Sequence, residues 1–472
     1  MDISKKIPVH IGLFGHIDSG KTAVAASLSD IISTAGIDAH PQSKERGITI
    51  DLGFTSFILE EYLVTLVDGP GHADLIKISA SSVEIIDCGL IVIDINKGPQ
   101  VQTGEHLIMV ESLNIENVIV ILNKIDIFKG NLEEEVKKIR KFFDSTSFGS
   151  KVPIFSVSAK NKQGLEELKE GILNIINRLN LNRDIAGDII FPIDHYFPIK
   201  GIGAILTGTL LSGQLKLNQA LEIIPIKSSG RVKSIQIFHQ DVENVKAGDR
   251  IGINLKGIDI SKLYRGCYAT DNPKAFDYCD IIEVNVNNHK LFKRKTSFGT
   301  QIHITIGMLT IVGKIYPYYE KGEKRIQTTV SNKDRGFKAV IILNEKVLIR
   351  KKKVIVLISR LDLPPTTLRI IGSAEVLKIH QETPLFFKYK IKKGFIKNPN
   401  HPQGIICIGL AQSATGAKMV VGKKLEPPFT KVLNTFGTKG SVIVGIKKDH
   451  EKVKKGDPVY LKELRSFRLK NI

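Results

Sequence analysis

Gly15, Gly20, Lys21 and Thr22 stand in the run "GHIDSGKT" (15–22), which has the spacing G-x-x-x-x-G-K-T/S. Glycines at that distance let backbone N–H groups turn inward around phosphate oxygens, with His16, Ile17, Asp18 and Ser19 as the loop between them. Lys21 adds positive charge at the β- and γ-phosphates, and the Thr22 hydroxyl coordinates Mg2+. Three further stretches follow in order. "DGPGH" (68–72) puts Asp68 within reach of the magnesium shell through water, with Gly69 and Gly71 where a backbone approaches the γ-phosphate. "NKID" (123–126) brings Asn123, Lys124 and Asp126. The Asp126 carboxylate accepts from guanine N1–H and from the exocyclic amine, a donor pair that adenine lacks. "SAK" (Ser158, Ala159, Lys160) offers a backbone N–H to guanine O6. Each stretch alone is common. All four in order, each at the end of an apolar run, specify a site for GTP and Mg2+.

These residues need strand ends to hold them. "IPVHIGLFG", "YLVTLVD", "CGLIVIDI", "NVIVILN" and "VPIFSVSA" read as strands. "TAVAASLSDII", "TGEHLIMVESL", "LEEEVKKIRKFFDS" and "LEELKEGILNIINRLN" read as helices between and after them. Strands alternating with helices predict a doubly wound, mostly parallel sheet, a P-loop GTPase domain over residues 1–180. From residue 188 onward short β-branched runs are separated by Gly, Asn and Asp turns, the pattern of antiparallel barrels. The expected division is α/β followed by three β-barrel domains, at 181–270, 271–380 and 381–472. "SRLDLPPTTLRIIG" reads as the closing strands of the middle barrel and "HQETPLFF" as the linker after it. "VENVKAGDRIGINL" (242–255) is echoed by "HEKVKKGDPVYLKEL" (450–464), either a trace of duplication or one turn used twice.

Net charge is +20, distributed as −6 over 1–180, +3 over 181–270, +10 over 271–380 and +13 over 381–472. A mildly acidic front and a strongly basic back predict a polyanionic partner for the later domains. The four cysteines lack CxxC spacing, which argues against a metal cluster or a disulfide framework and points to a reducing, cytoplasmic compartment. No apolar run approaches the length of a membrane span, and the phosphate-loop motif by residue 15 leaves no room for a cleaved leader. A monomer with no membrane partner is expected.

Between the phosphate loop and Asp68 lies "AHPQSKERGITIDLGF" (39–54). This is the position of a segment that orders around γ-phosphate and magnesium and relaxes after hydrolysis. Thr49 is the expected second hydroxyl ligand to the metal. The plainer reading of "ITIDLGF" is a strand.

"GHIDSGKT", "KERGITI", "DGPGH" and "GPQVQTGEH" (98–106) together resemble the translational GTPases of the elongation factor Tu class. Within that class "PQSKERGITIDLGF" and "FPIDHYFPIKGIGAILTGTLLSG" (191–213) look most like the selenocysteine-specific elongation factors, in their archaeal or eukaryotic form. Ser19, where many relatives carry histidine, and "DGPGH" in place of "DCPGH" or "DAPGH" are departures that remove no catalytic group. The resemblance implies that His72 orients the attacking water, behind an apolar gate of Ile17 and Ile48. It implies that Phe54 closes over an aminoacyl group against Asp194, His195 and Arg250, a pocket whose cations favour a selenolate. Without the resemblance these four would be a surface ion cluster on a barrel. The implied partners are selenocysteinyl-tRNA and the ribosome, with an mRNA recoding hairpin or its binding protein for the basic last domain. Alternatives are a general aminoacyl-tRNA carrier, an initiation factor 2 gamma-type GTPase, an RNA-binding regulatory GTPase, or a nucleotide-dependent subunit of sulfur assimilation.

Overall fold

Alternation along each apolar run decides which side of the first sheet its residues cover. In a computed structural model of the chain, residues 3–32, 52–69, 85–199, 203–352, 354–447 and 453–469 are described. The strands of the first sheet are β1 (Ile7–Phe14), β2 (Ile31–Ile32), β3 (Gly53–Leu59), β4 (Tyr62–Asp68), β5 (Cys88–Asp94), β6 (Val118–Asn123) and β7 (Ile154–Val157). Its helices are α1 (Lys21–Leu28), α2 (Val101–Ser112), α3 (Leu132–Phe143) and α4 (Leu165–Ile176). The strand order is β2-β3-β4-β1-β5-β6-β7. β4, β1, β5, β6 and β7 run parallel, while β3 is antiparallel to β4 and to β2. Val9, Ile11 and Leu13 of β1, Leu90 and Val92 of β5, and Ile119 and Ile121 of β6 pack under α1 and α4. Ile91, Ile93, Val120 and Leu122 point the other way, against α2 and α3. Strands with apolar residues on both faces are the mark of a parallel sheet covered twice by helices.

The expected helix "TAVAASLSDII" is shorter than its apolar pattern. It ends at Leu28, and Ile31–Ile32 instead pair antiparallel with Ser56 and Thr55. Ser29 takes an extended backbone, and its hydroxyl donates to the Ala25 carbonyl at 2.6 Å, a local bond that competes with helix continuation.

Phe191–Pro192, Tyr268–Thr270, Ala220–Ile224, Ser228–Ile237, Arg250–Lys256, Gly203–Thr209 and His195–Ile199 follow one another across a second, antiparallel sheet. Its inward residues, among them Leu206, Ile223, Val232 and Ile253, form one core. A third set closes on itself. Thr300–Ile306, Ile355–Ser359, Ile370–His380, Phe276–Asn288, Gly336–Arg350 and Leu309–Lys321 pair in that order, and the last pairs with the first. A closed ring leaves no strand edge open.

The chain forms two compact units, one of residues 1–317 and 329–381, the other of Tyr318–Thr328 with Glu382–Ile472. In the second unit Leu385–Asn398 pairs antiparallel with Pro458–Arg468 and with Ile405–Ile408, and parallel with Lys324–Gln327. Ile405–Ile408 continues through Ser441–Ile446 to Phe429–Phe436. A short helix, Ala414–Val420, stands where the sequence pattern predicted only short strands and turns; Ser413 caps it by accepting from Gly416 N at 3.1 Å.

The echoed motif adopts the same turn in both copies. In both copies the aspartate carboxylate accepts from the backbone N–H three residues earlier, Lys246 to Asp249 and Lys454 to Asp457, each at 2.8 Å. Gly248 and Gly456 supply the left-handed residue at φ 100° and 95°.

Candidate functional site

The phosphate loop leaves β1 at Phe14 and enters α1 at Lys21. Gly15 and Gly20 have φ of 141° and 90°, and a Cβ at either would stand 2.2 Å from Val92 O or Asn123 Nδ2. Only glycine lets the loop lie so close to the strand ends. Lys21 is buried and crosses the loop, donating to the carbonyls of Gly15 at 3.1 Å and His16 at 3.0 Å. Burial lowers its ammonium from the ordinary range while Asp68 and Asp18 oppose that shift. The Thr22 hydroxyl donates to Asp68 Oδ2 at 2.7 Å.

The base-recognition stretches are tied to this loop by side chains. Asn123 Nδ2 donates to Ser19 O at 3.0 Å, and its Oδ1 accepts from Ala159 N at 3.1 Å. Lys124 donates to Asp18 O at 2.6 Å and to Asp94 Oδ2 at 2.9 Å. Burial alone would raise the Asp94 carboxyl, but Lys124 and Asn96 hold it below its usual value. Asp126 is exposed, with Oδ1 held by the Ser158 hydroxyl at 2.8 Å. Lys160 is exposed, and Ile17 and His16 are half-buried beside the loop. Ile48, Thr49, Gly71 and His72 lie outside the described residues.

Two positions here carried no role in the sequence. His106 Nδ1 accepts from Gly15 N at 3.0 Å, so the ring is neutral and its proton sits on Nε2. Burial, with the charges of Lys21 and His16, pushes its pKa down to about 3. Asp94 was the other. The available signals were a histidine inside the apolar helix "TGEHLIMV" and an aspartate at the strand end "CGLIVID".

The second constellation is assembled from the first sheet and the second, antiparallel sheet. Phe54 lies on β3, where Gly53 faces Asp68 and Phe54 faces Val67 across the ladder. The Arg250 guanidinium lies over the Phe54 ring, 3.2 Å from its centroid. Its Nη1 and Nη2 donate to Asp194 Oδ2 and Oδ1 at 2.6 and 3.3 Å. His195 Nδ1 is 3.0 Å from Asp194 Oδ1, and the Thr207 hydroxyl donates to the same oxygen at 2.9 Å. Thr207 joins the set because it pairs with His195 in the barrel ladder. The His195 ring stacks on Phe197 at an interplanar angle of 4° and presents its edge to Phe54. Burial by itself would raise the Asp194 carboxyl, yet Arg250 and His195 hold it well below the usual carboxylate range. The carboxylate therefore offsets the Arg250 charge. Thr207, Arg250 and Gly252 also line a cleft with Gln236, Phe238 and His239.

Beside the cluster, His10 Nε2 donates to Gly248 O at 2.6 Å, and Arg183 Nη2 donates to Asp87 Oδ2 at 2.6 Å. The first of these bonds seats the turn before Arg250 against the first sheet.

A P-loop whose base and phosphate stretches are laced together, followed by antiparallel barrels, defines a translational GTPase. Residues 6–178 match the model of the elongation factor Tu GTP binding domain, 203–270 that of elongation factor Tu domain 2, and 276–380 that of domain III of the archaeal selenocysteine-specific elongation factor. The selenocysteine-specific elongation factor of Methanocaldococcus jannaschii is 39% identical over 97% of this chain and 98% of its own. That of Mus musculus is 36% identical over 66% of this chain and 57% of its own. The crystal structure of elongation factor SelB from Methanococcus maripaludis with the GTP analogue GppNHp superposes with a TM-score of 0.80 at 33% identity, covering 98% and 99% of the two chains. Its apo form gives 0.79 at 34% identity. The chain belongs to the selenocysteine-specific elongation factors. Among the described residues no helix is long and apolar enough to cross a membrane.

Proposed function

We propose that the chain binds selenocysteinyl-tRNA in its GTP state, delivers it to the ribosome at recoded UGA codons, and hydrolyses GTP when the codon is accepted. One relationship carries this reading. Phe54 stands a single residue along β3 from Gly53, the partner of Asp68, and itself covers Arg250. A change of phosphate state that moves this strand end reaches the aminoacyl pocket directly. Arg250 Nε is buried with no hydrogen-bond partner among the described residues, which leaves a donor for an anionic group entering from the cleft.

A hydroxyl and a carboxylate oxygen meeting at 2.7 Å, Thr22 and Asp68, are the hard donors that Mg2+ prefers. They support these two residues as holders of the ion, Asp68 through water, with Thr49 as a further hydroxyl. The ion would neutralise charge between the β- and γ-phosphates. Lys21 would turn from its loop carbonyls to the same phosphates. Gly15, His16, Ile17, Asp18, Ser19, Gly20 and Gly71 would surround them, and Asn123, Lys124, Asp126, Ser158, Ala159 and Lys160 would hold guanine. His72, gated by Ile17 and Ile48, would orient the attacking water. Four free, buried cysteines among the described residues support a reducing cytoplasm as the place of work.

The deciding experiment compares selenocysteinyl-, cysteinyl- and seryl-forms of one tRNA bound in the GTP state. Tightest binding of the selenocysteinyl form is expected. Equal affinity for the three would remove selenocysteine from the reading and leave a general carrier.

A further inference from the structure

We infer that one face of the second unit is a stacking platform for unpaired RNA bases. The inference rests on the proposed function only in that the RNA would be met during translation.

Leu385–Asn398 and Pro458–Arg468 pair residue for residue, with Tyr389 opposite Leu464, Ile391 opposite Lys462, Lys393 opposite Tyr460 and Phe395 opposite Pro458. Residues facing each other across an antiparallel ladder project to the same side. Tyr389, Ile391, Lys393, Phe395, Tyr460 and Lys462 therefore share one surface. Ile391 is 57% exposed and Phe395 42% exposed, so no core covers them. A solvated sheet face is ordinarily polar. This one alternates rings and aliphatic side chains with ammonium groups, and neither of the two strands places a carboxylate on it. The only acidic residue on the two strands, Glu463, faces Lys390 on the other side, and takes Lys423 and Arg465 as partners there.

The ammonium groups already sit on the rings. Lys462 Nζ lies 4.3 Å from the Tyr389 centroid, and Lys393 Nζ lies 5.0 Å from that of Phe395 and 5.9 Å from that of Tyr460. At an exposed site such a contact is weak, and a base offers a ring far more surface than one ammonium does. A base arriving at Tyr389 or Phe395 displaces the lysine, which then stands beside the backbone phosphate. Tyr389 and Phe395 are about 20 Å apart along the strand, room for a run of about four nucleotides. A rigid duplex hides its π-faces and cannot use the rings. Single-stranded RNA satisfies both the rings and the charge; an acidic polypeptide satisfies only the charge.

The test uses the full chain and a labelled single-stranded oligouridine, alone and annealed to oligoadenosine, with affinity measured over a range of salt. The double variant Tyr389→Ala with Phe395→Ala is expected to bind the single strand at least about tenfold more weakly, with the salt slope unchanged. Tyr389→Phe should bind as the parent does. Lys393→Gln should reduce the salt slope by about 0.7. If the alanine variant unfolds, Tyr389→Leu with Phe395→Leu keeps an apolar face without a π-system and should show the same loss. Unchanged binding by the ring variants, duplex binding as tight as single-strand binding, or tighter binding of polyglutamate than of oligouridine would overturn the inference. Charged-tRNA binding in the GTP state is measured on the same samples. Its retention alongside a failed oligonucleotide result would sink this face alone; its absence alongside a positive one would sink the carrier reading alone.

Discussion

Glu105 accepts three N–H groups from Arg369. The Arg369 backbone N and Nε reach Oε1 at 3.0 and 2.8 Å, and Nη2 reaches Oε2 at 2.8 Å. Both side chains are buried, one on α2 and the other immediately before Ile370–His380 of the closed barrel. The next residue of α2, His106, holds Gly15 of the phosphate loop. Adjacent positions of one helix thus grip the nucleotide loop and the closed barrel.

Removing one partner of such a pair leaves a buried charge unmatched. Glu105→Gln should lower unfolding stability by about 3–5 kcal/mol, whereas Glu105→Gln with Arg369→Met should recover much of the loss. Chemical denaturation of the three proteins checks this. A double variant no more stable than the single one would show that the pair is not the cause.

His106→Ala leaves the Gly15 N–H buried without an acceptor, at a cost of about 1–3 kcal/mol. GTP and GDP affinity should fall about tenfold, while His106→Gln, which restores an acceptor, should recover part of it. Nucleotide titration reads the effect, and undiminished affinity in the alanine variant would separate His106 from the loop's conformation.

The phosphate loop and guanine stretches were legible because their residues are neighbours in sequence and their spacing reports a turn. Glu105 with Arg369, and His106 with Gly15, had no such signature, since each pair is set by packing between distant segments. What the sequence did display was a carboxylate and an imidazole inside an apolar helix, and an arginine inside "TTLRIIG". Charges in apolar runs are rarely buried unless paired, so partners were predictable but their identity was not. The Phe54, Asp194, His195 and Arg250 set came from resemblance, and Thr207 escaped notice because only the register of the barrel brings it to Asp194.

Arg250→Lys keeps the charge but loses the two-pronged bond to Asp194 and the flat stack on Phe54. Affinity for selenocysteinyl-tRNA should drop about tenfold or more, with the seryl form and GTP changed by less than about threefold. Lysine is the better probe than alanine, which would strand the buried Asp194 carboxylate. Equal losses for both aminoacyl forms would make Arg250 a structural residue.

His10 is buried and its pKa is lowered to about 4, chiefly by burial, with Asp87 opposing and Arg183 and Arg250 adding to the shift. Below its unfolded value of about 6.5 the unfolded chain takes up a proton that the folded one refuses. Its effect on stability is therefore absent above pH 6.5 and grows as pH falls toward 4, reaching about 3 kcal/mol of destabilisation. Nearby Asp249, raised to about 6 mainly by burial, acts in the opposite sense below that pH. His10→Gln should therefore flatten the fall in melting temperature between pH 6.5 and 4 relative to the parent. Parallel profiles would mean that His10 takes its proton without unfolding.

Lys324–Gln327 joins the last unit by pairing in parallel with Leu385–Asn398, Arg325 opposite Phe386. As the chain is synthesised, this strand emerges well before its partner and waits with an unmatched row of N–H and C=O groups. A protein cut after residue 380 keeps that raw edge permanently, so its behaviour would mix lost charge with a new tendency to stick. The last unit is thus no cassette. A graft onto another chain has to carry Tyr318–Thr328 with it or supply a substitute strand.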